Sequence, residues 1–273
     1  MWKWATAGAA TALAASAVVL GRHQANRRRL HRQLASTRAA AIAGREPTLR
    51  PDFGAASLPA EFAQQFIVRI DDFLTPATHA RIREEALAAG PLKKRSYIPT
   101  HKKGGTVSYE EIHRSCPNAL AFYHSAAVRD FVSKVVGMPV GSAGDHDQSA
   151  ESILYYEEEG DHIHWHFDHN FYRGRQFTAL LSLVNQSVQG DASAATLVCK
   201  DKAGIEHEVD TRAGTFVIFE GAKVLHRATP AAAGDLRVLL SMTFNTDPRI
   251  SFLGEASRRA KDTAFFGLRA LFG

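Results

Sequence analysis

After Ala150 the sequence breaks into eight short segments with strand character: Ile153–Tyr156, Ile163–Asp168, Phe177–Val184, Ala195–Cys199, Ile205–Val209, Thr215–Phe219, Leu225–Thr229 and Arg237–Phe244. Gly160, Gly190, Ala203-Gly204, Gly214 and Gly234 punctuate them as turn residues. Eight strands in about ninety residues fit a double-sheet jelly roll, also called a double-stranded β-helix. The predicted class is therefore mostly β with flanking helices. No internal repeat competes with it.

Upstream, residues 46–60 hold Pro47, Pro51, Gly54 and Pro59 and read as a linker. Phe66 to Phe73 reads as a strand. A helix follows, with Thr75 as cap, Pro76 at its first position and an apolar face running through Ile82 and Ala86 to Gly90. Pro91 to Thr106 carries Lys93, Lys94, Arg95, Lys102, Lys103 and paired glycines. It reads as a loop, either a lid over a site or an ordinary solvated connection. Asn118 to Val136 reads as a second helix ended at Gly137. Ser251 to Gly273 forms an amphipathic helix in which Phe265, Leu268 and Leu271 or Phe272 share a face. It is expected to pack on the domain, with a membrane-surface or partner helix as the alternative. With 273 residues, 45% of them apolar, the chain can bury one core with appendages. The expected division is an arm over 1–45, a linker over 46–60, a domain over 61–250 and a helix over 251–273.

The net charge of +5 is misleading. Residues 1–45 hold eight basic residues and no acid, so the rest of the chain is left three charges negative. That removes the support for nucleic acid as a partner of the folded domain. Within the arm, Trp4 to Leu20 is an uncharged, Ala-rich run followed by a cluster from Arg22 to Arg32. Positive charge on that side predicts a single N-terminal anchor, membrane contact through residues 1–32 and a domain on the cytoplasmic side. An organellar transit segment and a plain Ala-rich helix are the competing readings. Cys116 and Cys199 are too few for a disulfide framework and read as reduced thiols.

The segment His162-Ile163-His164-Trp165-His166-Phe167-Asp168-His169 is the richest in metal-binding groups. In a regular strand, His162, His164, His166 and Asp168 would share one face. His-x-Asp alone is a weak signal in a chain with 13 histidines. It gains weight from His226, 60 residues after His166, and from Arg237, 11 residues further on. Two histidines and one carboxylate on one side of an ion leave adjacent positions open, as Fe(II) needs when it must hold a co-substrate and O₂. A nearby guanidinium can grip a carboxylate through paired hydrogen bonds.

With these residues the chain resembles the Fe(II)/2-oxoglutarate dioxygenase superfamily, nearest its prolyl-4-hydroxylase-like branch. The resemblance is close over about residues 150–246 and loose over 66–140. His166-Phe167-Asp168, His226 and Arg237 match the family's His-x-Asp, distal His and basic residue. Gly160, six before His166, and Arg175, Thr178 and Asn185 also match, as do Gly214 to Phe219 and His226 to Pro230. The prolyl hydroxylases usually carry Lys where Arg237 stands, and Gly190-Asp191-Ala192-Ser193 replaces a usual glycine pair. The resemblance implies iron held by His166, Asp168 and His226. It further implies 2-oxoglutarate held by Arg237 with Tyr156 or Thr178, the family tyrosine falling at Tyr155 or Tyr156. O₂ would be consumed, with ascorbate as a supporting reductant. The implied reaction hydroxylates a C–H bond of a small-molecule or peptidyl substrate and releases succinate and CO₂. Asp168 separates the chain from the superfamily's halogenases, which lack that carboxylate. A cupin-like metal-binding protein that does not use 2-oxoglutarate is the alternative.

Overall fold

The computed structural model describes residues 21, 25–26, 28–51, 56–143 and 147–266. Its strands are β1 (Ile67–Ile70), β2 (Lys94–Ile98), β3 (Lys102–Val107), β4 (Gly141–Ser142), β5 (Glu151–Tyr156), β6 (His162–His166), β7 (Gln176–Gln186), β8 (Leu197–Lys200), β9 (Glu206–Val209), β10 (Phe216–Phe219), β11 (Leu225–Ala228) and β12 (Leu236–Asn245). Residues 28–42 are helical (α1). The other helices are α2 (Leu58–Gln65), α3 (Pro76–Ala88), α4 (Tyr109–Ser115), α5 (Pro117–His124), α6 (Ala126–Val136) and α7 (Phe252–Phe266). Each of the eight segments expected after Ala150 falls on one of β5 to β12, and the jelly-roll class holds.

The strands run β1-β10-β7-β12-β5 on one side and β6-β11-β8-β9 on the other. β3 joins the two halves. Gly105 to Val107 pair with β5, while Lys102 and Lys103 pair with β6. One antiparallel sheet thus bends back over itself and encloses an interior.

The residue pattern of the long central strands explains the layering. β7 reads Gln-Phe-Thr-Ala-Leu-Leu-Ser-Leu-Val-Asn-Gln and is buried on both faces along most of its length, as a strand covered on both sides must be. Phe177, Ala179, Leu181 and Leu183 join the large core under the helices. Leu180 joins a smaller cluster inside the barrel with Leu197, Cys199 and Phe219. On β12, Val238, Leu240, Met242 and Phe244 face the helices. The opposite face carries Leu239 and then Ser241 and Thr243, which border a cavity. One end of the barrel interior is therefore small and polar rather than filled.

The structure departs from the sequence reading in five places. Pro91 to Thr106 is no loop: β2 and β3 form a hairpin paired from Lys94↔Thr106 to Ile98↔Lys102. The expected helix over 118–136 is two helices, broken at Ser125 (ψ 133°). Thr75 occupies the cap position of α3, but its hydroxyl lies 3.1 Å from Thr78 Oγ1 and caps no backbone N–H. Residues 46–60 are more than a linker, since Leu49 bridges Leu74 and Leu58 of α2 is in the core. The arm is likewise docked over its last turns: Leu34 is buried, and its carbonyl lies 2.9 Å from His113 Nε2.

Among the described residues, no helix is long and apolar enough to cross a membrane. The run from Trp4 to Leu20 lies outside them, as do Leu268, Leu271 and Phe272. Cys116 and Cys199 are free, buried thiols.

Candidate metal centre

His166 closes β6 and His226 lies in β11, directly opposite it in the sheet. Asp168 follows two residues after β6, where its N–H donates to Gly221 O (3.0 Å). One nitrogen from each histidine and one oxygen of Asp168 all lie within 4.8 Å of one another. Nε2 of His166 is 3.5 Å from Asp168 Oδ1, and Nε2 of His226 is 3.7 Å from the same oxygen.

The rings are aimed from behind. Nδ1 of His166 meets His164 O at 2.8 Å, and Nδ1 of His226 meets Val224 O at 2.9 Å. A carbonyl can only accept, so each Nδ1 carries the proton. Each neutral ring then presents a bare Nε2 lone pair to the centre. Thr178 Oγ1 donates to Asp168 Oδ2 at 2.6 Å and fixes the carboxylate. Thr178 thus holds a prospective ligand, and it also borders the cavity beside the triad.

Local electrostatics agree with this division. Burial works to raise the Asp168 pKa, but the neighbouring histidines and the Thr178 hydrogen bond hold it far below the ordinary carboxylate range. Burial opposes charge on His166, yet the hydrogen bond and charge of Asp168 prevail and raise its pKa. For His226 burial wins over Asp168, and its pKa falls.

A β-bulge makes the face. His226 pairs with His166 but Ala228 pairs with Ile163, so β6 spends three residues where β11 spends two. Ile163 and His166 both border the cavity. His164 is exposed, with its ring 4.5 Å from that of His162, and Trp165 turns out under Lys200 and Arg227. The single histidine face expected from strict alternation is therefore corrected, and His164 does not line the site.

The triad opens into a cavity of about 190 Å³. Ser152, Leu154, Ser241 and Thr243 border it from the sheet, and Phe265 and Phe266 of α7 from outside. Sequence reasoning missed two of its residues, His101 and Lys102. The His101 ring lies 5.6 Å from that of His166. Lys102 is 2% exposed. Both come from the hairpin read as a loop, and only their basic character was visible in advance.

Arg237 and Tyr156 are elsewhere. The Arg237 guanidinium, 1% exposed, sits 5.3 Å over the Tyr156 ring and donates to Thr211 Oγ1 at 3.2 Å. Its Nε has no acceptor. Neither residue borders the triad's cavity. Burial drives the Tyr156 phenol up to about 12 despite Arg237. Tyr155 points the other way, donating to Ala86 O at 2.5 Å.

No protein-family model matches the sequence, and no curated protein matches it either. Solved structures do match in fold. The non-heme alpha ketoglutarate dependent epimerase SnoN from nogalamycin biosynthesis aligns at TM-score 0.58 and 14% identity, over 70% of this chain and 80% of its own. A prolyl-4-hydroxylase from Pseudomonas putida aligns at 0.53 and 17%, over 71% and 99%. A prolyl hydroxylase from Trichoplax adhaerens, solved with a hypoxia inducible factor peptide, aligns at 0.58 and 14%, over 71% and 89%. SnoN is also known in complex with Fe3+, alpha ketoglutarate and nogalamycin RO. The chain thus has the jelly-roll fold of the Fe(II)/2-oxoglutarate oxygenases, prolyl hydroxylases among them.

Proposed function

We propose that the protein is an Fe(II)- and 2-oxoglutarate-dependent oxygenase, with His166, Asp168 and His226 as its iron ligands. The observation that carries this is the aim of the donors: two Nε2 lone pairs and an ionised carboxylate converge while both Nδ1 protons are held by backbone carbonyls. Two imidazoles and one carboxylate form the donor set that leaves one side of a six-coordinate ion open. Bound there, ferrous iron would supply the oxidative decarboxylation of 2-oxoglutarate to succinate and CO₂, coupled to hydroxylation of a substrate C–H bond.

The chain's own residues would do the rest. Thr178 holds Asp168 in place. His164 O and Val224 O set the ring planes. Leu154, Ile163 and Phe265 exclude water from the cavity. Ser241 and Thr243 offer hydroxyls to whatever polar groups enter it. Two neighbours in fold are known in complex with a hypoxia inducible factor peptide and with nogalamycin RO, which supports a small molecule or a peptidyl side chain as the substrate here. A cupin-like protein without 2-oxoglutarate would share the barrel, but no feature of the site favours it.

The test is succinate formation by purified protein supplied with Fe(II), ascorbate, O₂ and 2-oxoglutarate. Turnover above background, lost in His166→Ala and in His226→Ala, is expected. Metal binding without any 2-oxoglutarate binding would sink the assignment.

A further inference from the structure

Two buried cations stand in this barrel without a carboxylate, and 2-oxoglutarate accounts for one of them. The resemblance to the oxygenases gives Arg237 to the far carboxylate of that co-substrate. Its surroundings fit that place: it is 1% exposed, donates to one hydroxyl and leaves Nε without an acceptor. Lys102 is the second cation. It is 2% exposed and borders the cavity of His166 and Asp168. Its Nζ donates to Thr106 Oγ1 at 2.8 Å and lies 4.5 Å above the Phe265 ring. Among the described residues no carboxylate pairs with it. Asp161, whose charge reaches it from further off, is bonded to Arg95 at 2.6 and 3.1 Å. A buried ammonium so placed is costly, and such groups normally have an anionic partner.

The two cations call for two different anions. Leu154 and Ile163 pack against the cluster of Tyr156, whose ring lies under the Arg237 guanidinium, and they also border the triad's cavity. They lie between the cations, so one carboxylate does not serve both. The other ammonium at the cavity, Lys261, already has Asp262 at 3.1 Å and Asp147 at 3.9 Å. The lysines of the cavity thus leave one positive charge uncompensated, which matches a carboxylate rather than a doubly charged phosphate. Lys102 has N–H groups to spare, and Thr106, which accepts from it, keeps its own O–H proton to donate in the same direction. Ser152 and Ser241, opposite each other on β5 and β12, add hydroxyls to the cavity.

We propose that the substrate to be oxidised is a small organic acid whose carboxylate is held by Lys102 and Thr106 of β3. The proposal rests on the oxygenase reading above and narrows its substrate class. Anchor and metal centre are close in the fold. Lys102 pairs with Ile163, three residues before His166, and the His101 ring lies 5.6 Å from that of His166. An acid seated on Lys102 has its carbon chain in the same cavity as the triad, where Leu154, Ile163 and Phe265 give it apolar contacts. The cavity of about 190 Å³ is smaller than the roughly 300–1,000 Å³ of pockets for drug-sized ligands, which favours a small acid over a polycyclic skeleton. Burial, helped by the charge of Lys261, lowers the Lys102 pKa to about 7, and a carboxylate bound beside it would raise it again.

The experiment measures calorimetric binding of hexanoate, and of hexanamide as its uncharged counterpart, to protein loaded with Mn(II) and 2-oxoglutarate without O₂. The proteins compared are the parent, Lys102→Met and Thr106→Val. The 2-oxoglutarate affinity and the urea midpoint of each are read alongside. The parent should bind hexanoate about 30-fold more tightly than hexanamide, as a charge-assisted hydrogen bond implies. Lys102→Met should abolish that preference and keep its 2-oxoglutarate affinity within about threefold of the parent. It removes a buried charge, so its urea midpoint without ligand should not fall. Thr106→Val should shrink the preference by about fivefold, the worth of one neutral hydrogen bond. Hexanoate bound no better than hexanamide by the parent, or a preference that survives in Lys102→Met, overturns the proposal while the oxygenase reading stands. A Lys102→Met protein that loses 2-oxoglutarate instead makes Lys102 part of the co-substrate site, and that too refutes the proposal. A parent that binds Mn(II) but no 2-oxoglutarate overturns the oxygenase reading and the proposal together.

Discussion

Gly221 offers a way to break the metal centre without altering any ligand. A Cβ built on it would lie 2.5 Å from both Cβ and Cγ of Asp168, and closer still to Oδ2. Carbon atoms in contact prefer about 3.5–4.0 Å, so Gly221→Ala must move something by about 1 Å. Either Asp168 swings away and loses Thr178, or the turn from Glu220 to Val224 retreats and takes His226 with it. Metal–ligand distances tolerate only about 0.2 Å. Loss of an orienting neighbour typically costs 10- to 100-fold in metal affinity, and displacement of a ligand should reach the upper end, about 100-fold. At a Mn(II) concentration 100 times the parent's Kd, binding stabilises the parent by about 2.7 kcal/mol and such a variant by about 0.4 kcal/mol. Urea unfolding with Mn(II) and with EDTA measures that difference directly. The chelated samples report any packing penalty separately. A Gly221→Ala protein that gains the parent's full Mn(II) increment would refute the claim that this close approach sets the carboxylate.

Two further outcomes follow from other buried groups. Thr178→Val keeps the shape but removes the 2.6 Å bond to Asp168; Mn(II) affinity should fall by about 10-fold with little change in the urea midpoint under EDTA. Glu151 is fully buried with neither carboxyl oxygen bonded, and burial, with Glu85 nearby, raises its pKa well above the ordinary value. The native state keeps a proton that the unfolded chain releases, so its contribution to stability is present below about pH 4.5 and is lost as pH climbs toward the folded pKa. Glu151→Gln should remove that slope, and urea midpoints from pH 4.5 to 8 that decline equally in parent and variant would count against it.

The barrel was readable because, β9 (Glu-His-Glu-Val) apart, β5 to β12 carry apolar residues between turn residues at their ends. His166, Asp168 and His226 were readable because their spacing accompanies that pattern. The rest depended on proximity that no local signal encodes. The hairpin of β2 and β3 places Lys102, Gly104 and Thr106 on its inward side, so it lacks the apolar alternation that marks a strand. The break at Ser125 involves neither Gly nor Pro and left 118–136 looking like one helix. The bulge in β6 inverted the facing of His162 and His164, since one extra residue flips every side chain beyond it. Arg237 stood at a convincing spacing from His226, and its burial over the Tyr156 ring, outside the triad's cavity, had no signal in the sequence.

The position of α7 separates two kinds of change. Every group that aims at the metal stands on the sheet or the turns between its strands. Phe265 and Phe266, which border the same cavity, stand on a helix tied to the body by Lys261, which reaches Ser149 and Asp147. Reshaping those two aromatic rings alters which molecules fit through the doorway while the hearth behind it stays lit, so new selectivity can be acquired in this scaffold one helical turn at a time.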